Sequence, residues 1–353
     1  MKRLLLLLTA LPLILSIPNA DAVGVKPRKV LIVSMAGVTW ENVAEGQAPV
    51  LERLVENSSI AAMSVRTVGG KTDAASAFAT IGAGNRARGA GDEEAPISPV
   101  TEKMRSIRRD NQALHFGAVP GTLGDSLHAA GLRTGVVGNG DGGFVAKSAT
   151  TRTSTDFERR RSAGLALADK SGFVDVRSIG DDLVRKDKGT LNGYSTNERA
   201  LVDATRATLD KTDVVLVEIA DTYREGQVAF ASLDEPEEPA PTEEDVPARS
   251  RAIASDDALL GEIVELVDLK RDVLLVLGTT GLGPAKGERL TVALMSGFGV
   301  ERGGWLTSPT TRRDGLVTIA DVGPSPDPEG GREPLRPPCG RQGTSSHHSP
   351  GTR

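Results

Sequence analysis

The sequence predicts a doubly wound, mostly parallel α/β sheet with helices on both faces. Three features carry this reading: short apolar runs rich in β-branched residues, helix-compatible stretches between them, and turn residues that separate the two. The runs are KVLIVSM (29–35), IAAMSVR (60–66), TGVVG (134–138), DVVLVEI (213–219), DVLLVLG (272–278) and TVALMS (291–296). Each is close to continuous in apolar residues, the pattern of strands covered on both faces and paired in parallel. Helices are expected at APVLERLVE (48–56), TLGDSLHAAG (122–131) with Gly131 as C-cap, TNERALVDATRATLDK (196–211) and DDALLGEIVELVDL (256–269).

Composition sets the material of the core. The chain of 353 residues is 39% hydrophobic and 25% charged, the balance of a globular protein with one large or two modest domains. Aromatic residues make up only 3%, so Val, Leu, Ile and Ala must fill the interior. The net charge of -5, with both signs interspersed, lacks the basic stripe that nucleic-acid binding needs, and that class is set aside.

The ends of the chain read differently from its middle. Lys2 and Arg3, an apolar run from Leu4 to Ile17 and the small residues Ala20 and Ala22 around Asp21 form a secretory signal peptide over 1–22. Export to the extracellular space or the cell envelope is therefore expected, with an uncleaved anchor as the alternative; the run is short for a bilayer. A single domain over 23–325 follows, interrupted by LDEPEEPAPTEEDVPARS (233–250), an acidic, proline-rich insertion read as mobile. The tail 326–353 has no periodicity and is expected to be disordered; its His347 and His348 have nothing to preorganise them for a metal. The one cysteine, Cys339, sits in that tail, so no internal disulfide is expected.

Open α/β sheets place ligands at the carboxyl ends of their strands. Three turns here qualify: SMAGVTW (34–40), EIADTYREG (218–226) and VLGTTGLG (276–283). A fourth stretch, TDAASAFATIGAGNRA (72–87), places Thr72 and Asp73 ahead of a small-residue helix. Its hydroxyls and glycines raise the question of a nucleophile turn. The turn Gly82, Gly84, Asn85 and Arg86 is a candidate cradle for an anion, with a helix-closing turn as the plainer reading. Asp221 and Glu225 are a carboxylate pair that could hold a divalent ion if more oxygens converged; the alternative is a solvated loop. Arg312 and Arg313 form a second basic spot, read as exposed.

LIVSMAGVTWENV, SAFATIGAGNRA, VLLVLGTTGLG and TSPTTRRDGLVTIADVGPS, in this order, resemble the alkaline phosphatase superfamily, in particular its exported members from Gram-positive bacteria. The likeness spans about 23–325. It implies an alkaline-phosphatase-like fold and, in active members, two zinc ions held by Asp and His beside a Thr or Ser nucleophile. Residue by residue, the positions have changed. The metal-binding Asp before Gly falls on Ala36, the nucleophile falls near Ala74 between Thr72 and Ser76, with Thr72 beside Asp73 the candidate if the register slips, and the later Asp-His pair falls on Thr279 and Thr280. The third segment keeps Asp221 but has Glu225 where the family has His.

The expectation is therefore a protein without a metal cofactor, in a binding or scaffolding role toward an unknown envelope ligand or protein. The alternative is a phospho- or sulfo-hydrolase with an atypical Zn, Mn or Mg site on Asp73, Asp221 and Glu225. In the resembling family the segment after Pro-Ser continues as an apolar helix. Here Ser325 runs into the charged tail, so membrane association would need the signal anchor or a missing C-terminal region.

Overall fold

The computed structural model describes residues 28–68, 72–89, 102–144, 156–229, 245–281 and 290–324. The signal segment 1–22, residues 233–244 of the acidic insertion and the tail 326–353 lie outside the described residues.

Twelve strands are described: β1 (Val30–Met35), β2 (Ser58–Ser64), β3 (Thr134–Gly138), β4 (Gly142–Phe144), β5 (Asp156–Glu158), β6 (Val176–Ser178), β7 (Val184–Lys186), β8 (Tyr194–Thr196), β9 (Val214–Ile219), β10 (Val273–Leu277), β11 (Leu290–Gly297) and β12 (Leu316–Thr318). The helices are α1 (Trp40–Ala44), α2 (Pro49–Val55), α3 (Ala74–Ala83), α4 (Glu102–Gln112), α5 (Thr122–Ala129), α6 (Glu198–Leu209), α7 (Asp221–Ala229) and α8 (Asp245–Val264). Eight strands form one sheet in the order β12-β2-β11-β10-β1-β9-β3-β6, while β4 with β5 and β7 with β8 form two small antiparallel ribbons.

All six apolar runs form strands of the large sheet. β1 lies at its centre, parallel to β10 on one side and β9 on the other. The run at 291–296 departs from the parallel expectation: β11 is antiparallel to both β10 and β2. β10 and β11 are consecutive in the chain and adjacent in the sheet, and an antiparallel pair of this kind does not need the crossover that parallel neighbours require.

Alternation along the strands sends side chains to two separate cores. On one face, Ile32, Leu216 and Leu275 pack with Phe78 and Ile81 of α3 and with Leu165 and Leu167. On the other, Leu31, Val33, Val215 and Val276 pack with Leu51 of α2, Leu201 of α6 and Ile253 and Leu260 of α8. Burying a Leu or Ile of this kind stabilises by roughly 1.5–3 kcal/mol, so both faces are needed to hold the sheet.

Two parts of the expectation change. Helix α8 begins at Asp245, so residues 245–250 are helix rather than the end of the acidic insertion. Pro247 falls in its first turn, where a missing N–H costs no intrahelical bond. Asp221, Arg224 and Glu225 are buried on α7, not carried by a solvated loop. The N-terminus of α7 is held from far away, because the Asp256 carboxylate accepts from the backbone N–H groups of Asp221 (3.3 Å) and Thr222 (2.8 Å). Its neighbour Asp257 accepts from Val50 (2.7 Å) and Leu51 (2.9 Å) at the start of α2. Two consecutive carboxylates of α8 thus cap two different helices.

Candidate functional site

The carboxyl ends of β3, β9, β1 and β10 lie side by side, and the turns that follow them bring most of the candidate positions to one edge. Ser34 of β1 pairs in register with Glu218 of β9, which pairs with Gly138 of β3. Beside them the hydroxyls of Ser34 and Thr279 form a buried hydrogen bond of 2.7 Å that ties β1 to the turn after β10. Ala36 is buried and offers only a methyl group. Thr280 is fully buried, and its hydroxyl has no hydrogen-bond partner among the described residues.

Glu218 is the unusual acid of this edge. It is buried, and its Oε2 has no hydrogen-bond partner among the described residues. Burial pushes its pKa up to about 8; Arg224 opposes the rise and Asp141 adds to it. Nearby, the buried Tyr223 hydroxyl accepts from Arg160 at 3.1 Å, and burial pushes its own pKa up to about 12.

At the centre of the polar cluster is Arg224, completely buried. Its Nη1 donates to Asp221 at 2.5 Å and to the Thr196 hydroxyl at 3.0 Å. Its Nε donates to the carbonyl of Asp141 at 2.7 Å, and Nη2 donates to the carbonyl of Asn139. One planar fork therefore ties α7 to β8 and to the turn after β3. The same Asp221 oxygen, Oδ1, also accepts from the backbone N–H (2.8 Å) and hydroxyl (3.0 Å) of Thr196. Glu225 accepts from the backbone N–H of Leu191 (3.1 Å), the backbone N–H of Asn192 (3.2 Å) and the Asn192 side-chain amide. Asp141 is bound in turn by the Arg160 backbone N–H at 2.7 Å and by the Arg161 guanidinium.

Asp73 belongs to different chemistry. It is the N-cap of α3, accepting from the Ser76 backbone N–H at 2.7 Å and from the Ser76 hydroxyl at 2.8 Å. Among the described residues no three His, Cys, Asp or Glu side chains come together as a metal-ligand group, so Asp73, Asp221 and Glu225 do not form one. Thr72 donates its hydroxyl to the carbonyl of Val65 at 2.8 Å. Ala74, where the nucleophile of the resembling family falls, is the first residue of α3 and is buried.

The turn Gly82 to Arg86 closes α3. Gly84 sits in the left-handed region at φ 61°, and a Cβ there would lie 1.8 Å from the carbonyl oxygen of Pro324. A Cβ on Gly82 would lie 2.2 Å from that of Leu165. Both glycines serve close backbone packing at the carboxyl end of a helix, where the dipole disfavours an anion. The Asn85 amide donates to the carbonyl of Phe116 at 2.5 Å, and the Arg86 backbone N–H donates to the Asn85 side chain at 2.8 Å.

Sequence reasoning missed Arg224, Glu218, Asp141 and Asp256. The signal for Arg224 was present, since it stands three residues after Asp221 and one before Glu225, the spacing of one helix face. Glu218 also could have been noticed as a lone charge inside an otherwise apolar strand. Asp141 and Asp256 meet this cluster only through tertiary contacts.

No family model matches the chain, and no curated protein matches it. Among solved structures it is similar to the lipoteichoic acid synthase LtaP from Listeria monocytogenes, at 10% identity and a TM-score of 0.48, covering 85% of this chain and 74% of that one. An alkaline phosphatase superfamily protein from Vibrio parahaemolyticus is similar at 11% identity and a TM-score of 0.46, over 84% of this chain and 64% of that one. The alkaline phosphatase of the Antarctic bacterium TAB5 is similar at 9% identity and a TM-score of 0.46, over 84% and 95%. Its fold neighbours are alkaline phosphatase superfamily proteins. Among the described residues, no helix is long and apolar enough to cross a membrane.

The residues at the positions that the sequence resemblance assigns to metal ligands do not fit a pair of zinc ions. Zinc takes Cys, His, Asp or Glu. Here Ala36 has no ligand atom, Thr279 is bonded to Ser34, and Asp221 is neutralised by Arg224. Glu225 is bound to the chain at residues 191 and 192.

Proposed function

We propose that this chain is an exported alkaline-phosphatase-like protein with a non-catalytic binding or scaffolding role at the cell envelope. One observation carries the reading: the carboxylate edge where a metal pair would act is held together by the buried guanidinium of Arg224. A positive charge fixed by covalent structure neutralises Asp221 and organises the surrounding turns. The guanidinium supplies at Asp221 Oδ1 the positive charge that a metal ion would otherwise bring. Thr72 gives its hydroxyl to a backbone carbonyl, and no metal-ligand group is found among the described residues. The leader-like residues 1–22 support export.

The test is elemental analysis of the purified protein together with hydrolysis of p-nitrophenyl phosphate and p-nitrophenyl sulfate. Substoichiometric metal and no turnover are expected. Stoichiometric zinc or manganese, with hydrolysis abolished by a chelator, would overturn the proposal in favour of an atypical hydrolase.

A further inference from the structure

The amino ends of β3 and β6 carry a cluster of ionisable groups that the candidate site, at the carboxyl ends of the strands, does not use. His128 stands in the last turn of α5, where the helix dipole favours a cation. Its Nε2 lies 3.0 Å from Oδ2 of Asp175, the residue before β6, and 3.3 Å from the Thr134 hydroxyl at the start of β3. Its Nδ1 lies 3.5 Å from Oδ2 of Asp169. The ring also packs on Phe173, with centroids 6.0 Å apart.

A neutral imidazole has one N–H and one lone pair, so it can donate to only one of these carboxylates and must turn its lone pair toward the other. Only the imidazolium donates to both. Oδ1 of Asp169 accepts from the backbone N–H groups of Ser171 (2.8 Å) and Phe173 (3.0 Å) and from the Ser171 hydroxyl (2.6 Å), which leaves Oδ2 to His128. Oδ2 of Asp175 also accepts from the Thr134 backbone N–H at 2.8 Å. Burial works to raise both carboxyls, but these bonds and His128 outweigh it and hold both below the usual carboxylate range. Both therefore stay charged over the range in which histidines titrate. The other charges at this end are Arg133, whose Nε is 3.7 Å from Oδ1 of Asp175, the pair of Lys170 with Asp125 of α5 at 2.9 Å, and Asp213, which accepts from the Arg133 backbone N–H at 2.8 Å.

We infer that His128, Asp169 and Asp175 form a proton-operated latch: the doubly protonated ring fastens α5 to the 169–175 loop and to the start of β6, and loss of one proton to solvent releases the loop. The bonded form is the charged one, so the contact is complete at acidic pH and is lost as pH rises. Its effect is local because β6 is three residues long, stands at the edge of the sheet and pairs with β3 alone among the described strands. Release also frees the ring of Phe173, already 36% exposed. The loop is the far end of a segment that begins with Arg160 and Arg161, which are bonded to Tyr223 and Asp141 at the candidate site. The latch thus fixes one end of a connection whose other end is held there, and it stands independently of the binding role proposed above.

The test is NMR of the purified protein with nitrogen-labelled histidine, joined to amide hydrogen exchange, at pH 6 and pH 8.5. The ring of His128, assigned by its through-bond connection to the α5 backbone, should carry a proton on both nitrogens at pH 6 and on one at pH 8.5. Exchange protection over residues 169–178, corrected for the intrinsic pH dependence of exchange, should fall roughly tenfold relative to β1, the size of one lost charge-assisted contact. Strand β1 opens with the whole molecule, so taking it as reference removes the pH dependence that buried acids such as Glu218 impose everywhere. In His128→Gln the loop should already be poorly protected at pH 6, and the difference between the two pH values should vanish. A ring with a single protonated nitrogen at pH 6 overturns the inference without any variant. So does relative protection of 169–178 that ignores pH in the wild type, or a fall that persists in His128→Gln.

Discussion

Arg224 and Glu218 show how much of this site depends on two buried ionisable groups. Removing the guanidinium in Arg224→Met leaves Asp221 as a buried carboxylate without its cation, the case that costs about 3–5 kcal/mol. Arg224→Lys should recover only part of this, because a single ammonium cannot span Asp221 and the carbonyls of Asn139 and Asp141 at once. Urea unfolding of the two variants measures both effects. Glu218 acts through pH instead. Its pKa rises on folding from 4.5 to about 8, so its contribution is complete below 4.5 and is lost as the unfolded chain ionises and the folded one does not. Asp256, also pushed up to about 8 by burial, works in the same direction. Stability should therefore fall between about pH 5 and about pH 8, by an amount on the order of a few kcal/mol. In Glu218→Gln the urea midpoints at the two pH values should lie closer together than in wild type. An unchanged pH slope in that variant would remove Glu218 as its source.

Helix α3 gives the clearest case of a residue type whose chemistry is decided by its element. Asp73 beside Thr72 has the composition of a catalytic pair, yet its two oxygens are taken by the backbone and side chain of Ser76. Asp73→Ala should cost about 1 kcal/mol, whereas Asp73→Asn should stay within a few tenths, because an amide oxygen caps as well as a carboxylate. Thermal melts separate this from a metal role, in which Asn would behave like Ala. The helix itself was legible in the sequence: small residues from Ala74 to Ala79 and glycines at its end. Helix α7 was not. Its N-terminus is capped by Asp256, its Arg224 is anchored on the carbonyls of Asn139 and Asp141, and neither contact lies within the window that periodicity covers. The start of α8 was hidden for a related reason, since Pro247 and the acidic residues before it have the composition of a loop.

For the whole molecule, the six apolar runs gave the central strands with boundaries within about two residues, because strands covered on both faces leave a nearly continuous apolar signature. The short strands of the ribbons were invisible at three residues each. At the site, the absence of the usual zinc ligands at Ala36, Thr279 and Thr280 could be read directly from residue identity. What replaced them could not, because the network around Arg224 joins residues 139, 141, 196 and 221 across three connections. That network makes a prediction about the whole domain. A native-state metal held at 100 times its dissociation constant would add about 2.7 kcal/mol, which for a domain of this size corresponds to several degrees of melting temperature. If Arg224 supplies the cation of this edge, EDTA or 1,10-phenanthroline should leave the melting temperature unchanged, and added zinc or manganese should not raise it. A fall of several degrees on chelation, restored by one metal and absent in Asp221→Asn, would mean that Asp221 serves an ion as well as Arg224. The competition between a fixed guanidinium and a mobile cation for that single carboxylate is what the melting curve reads.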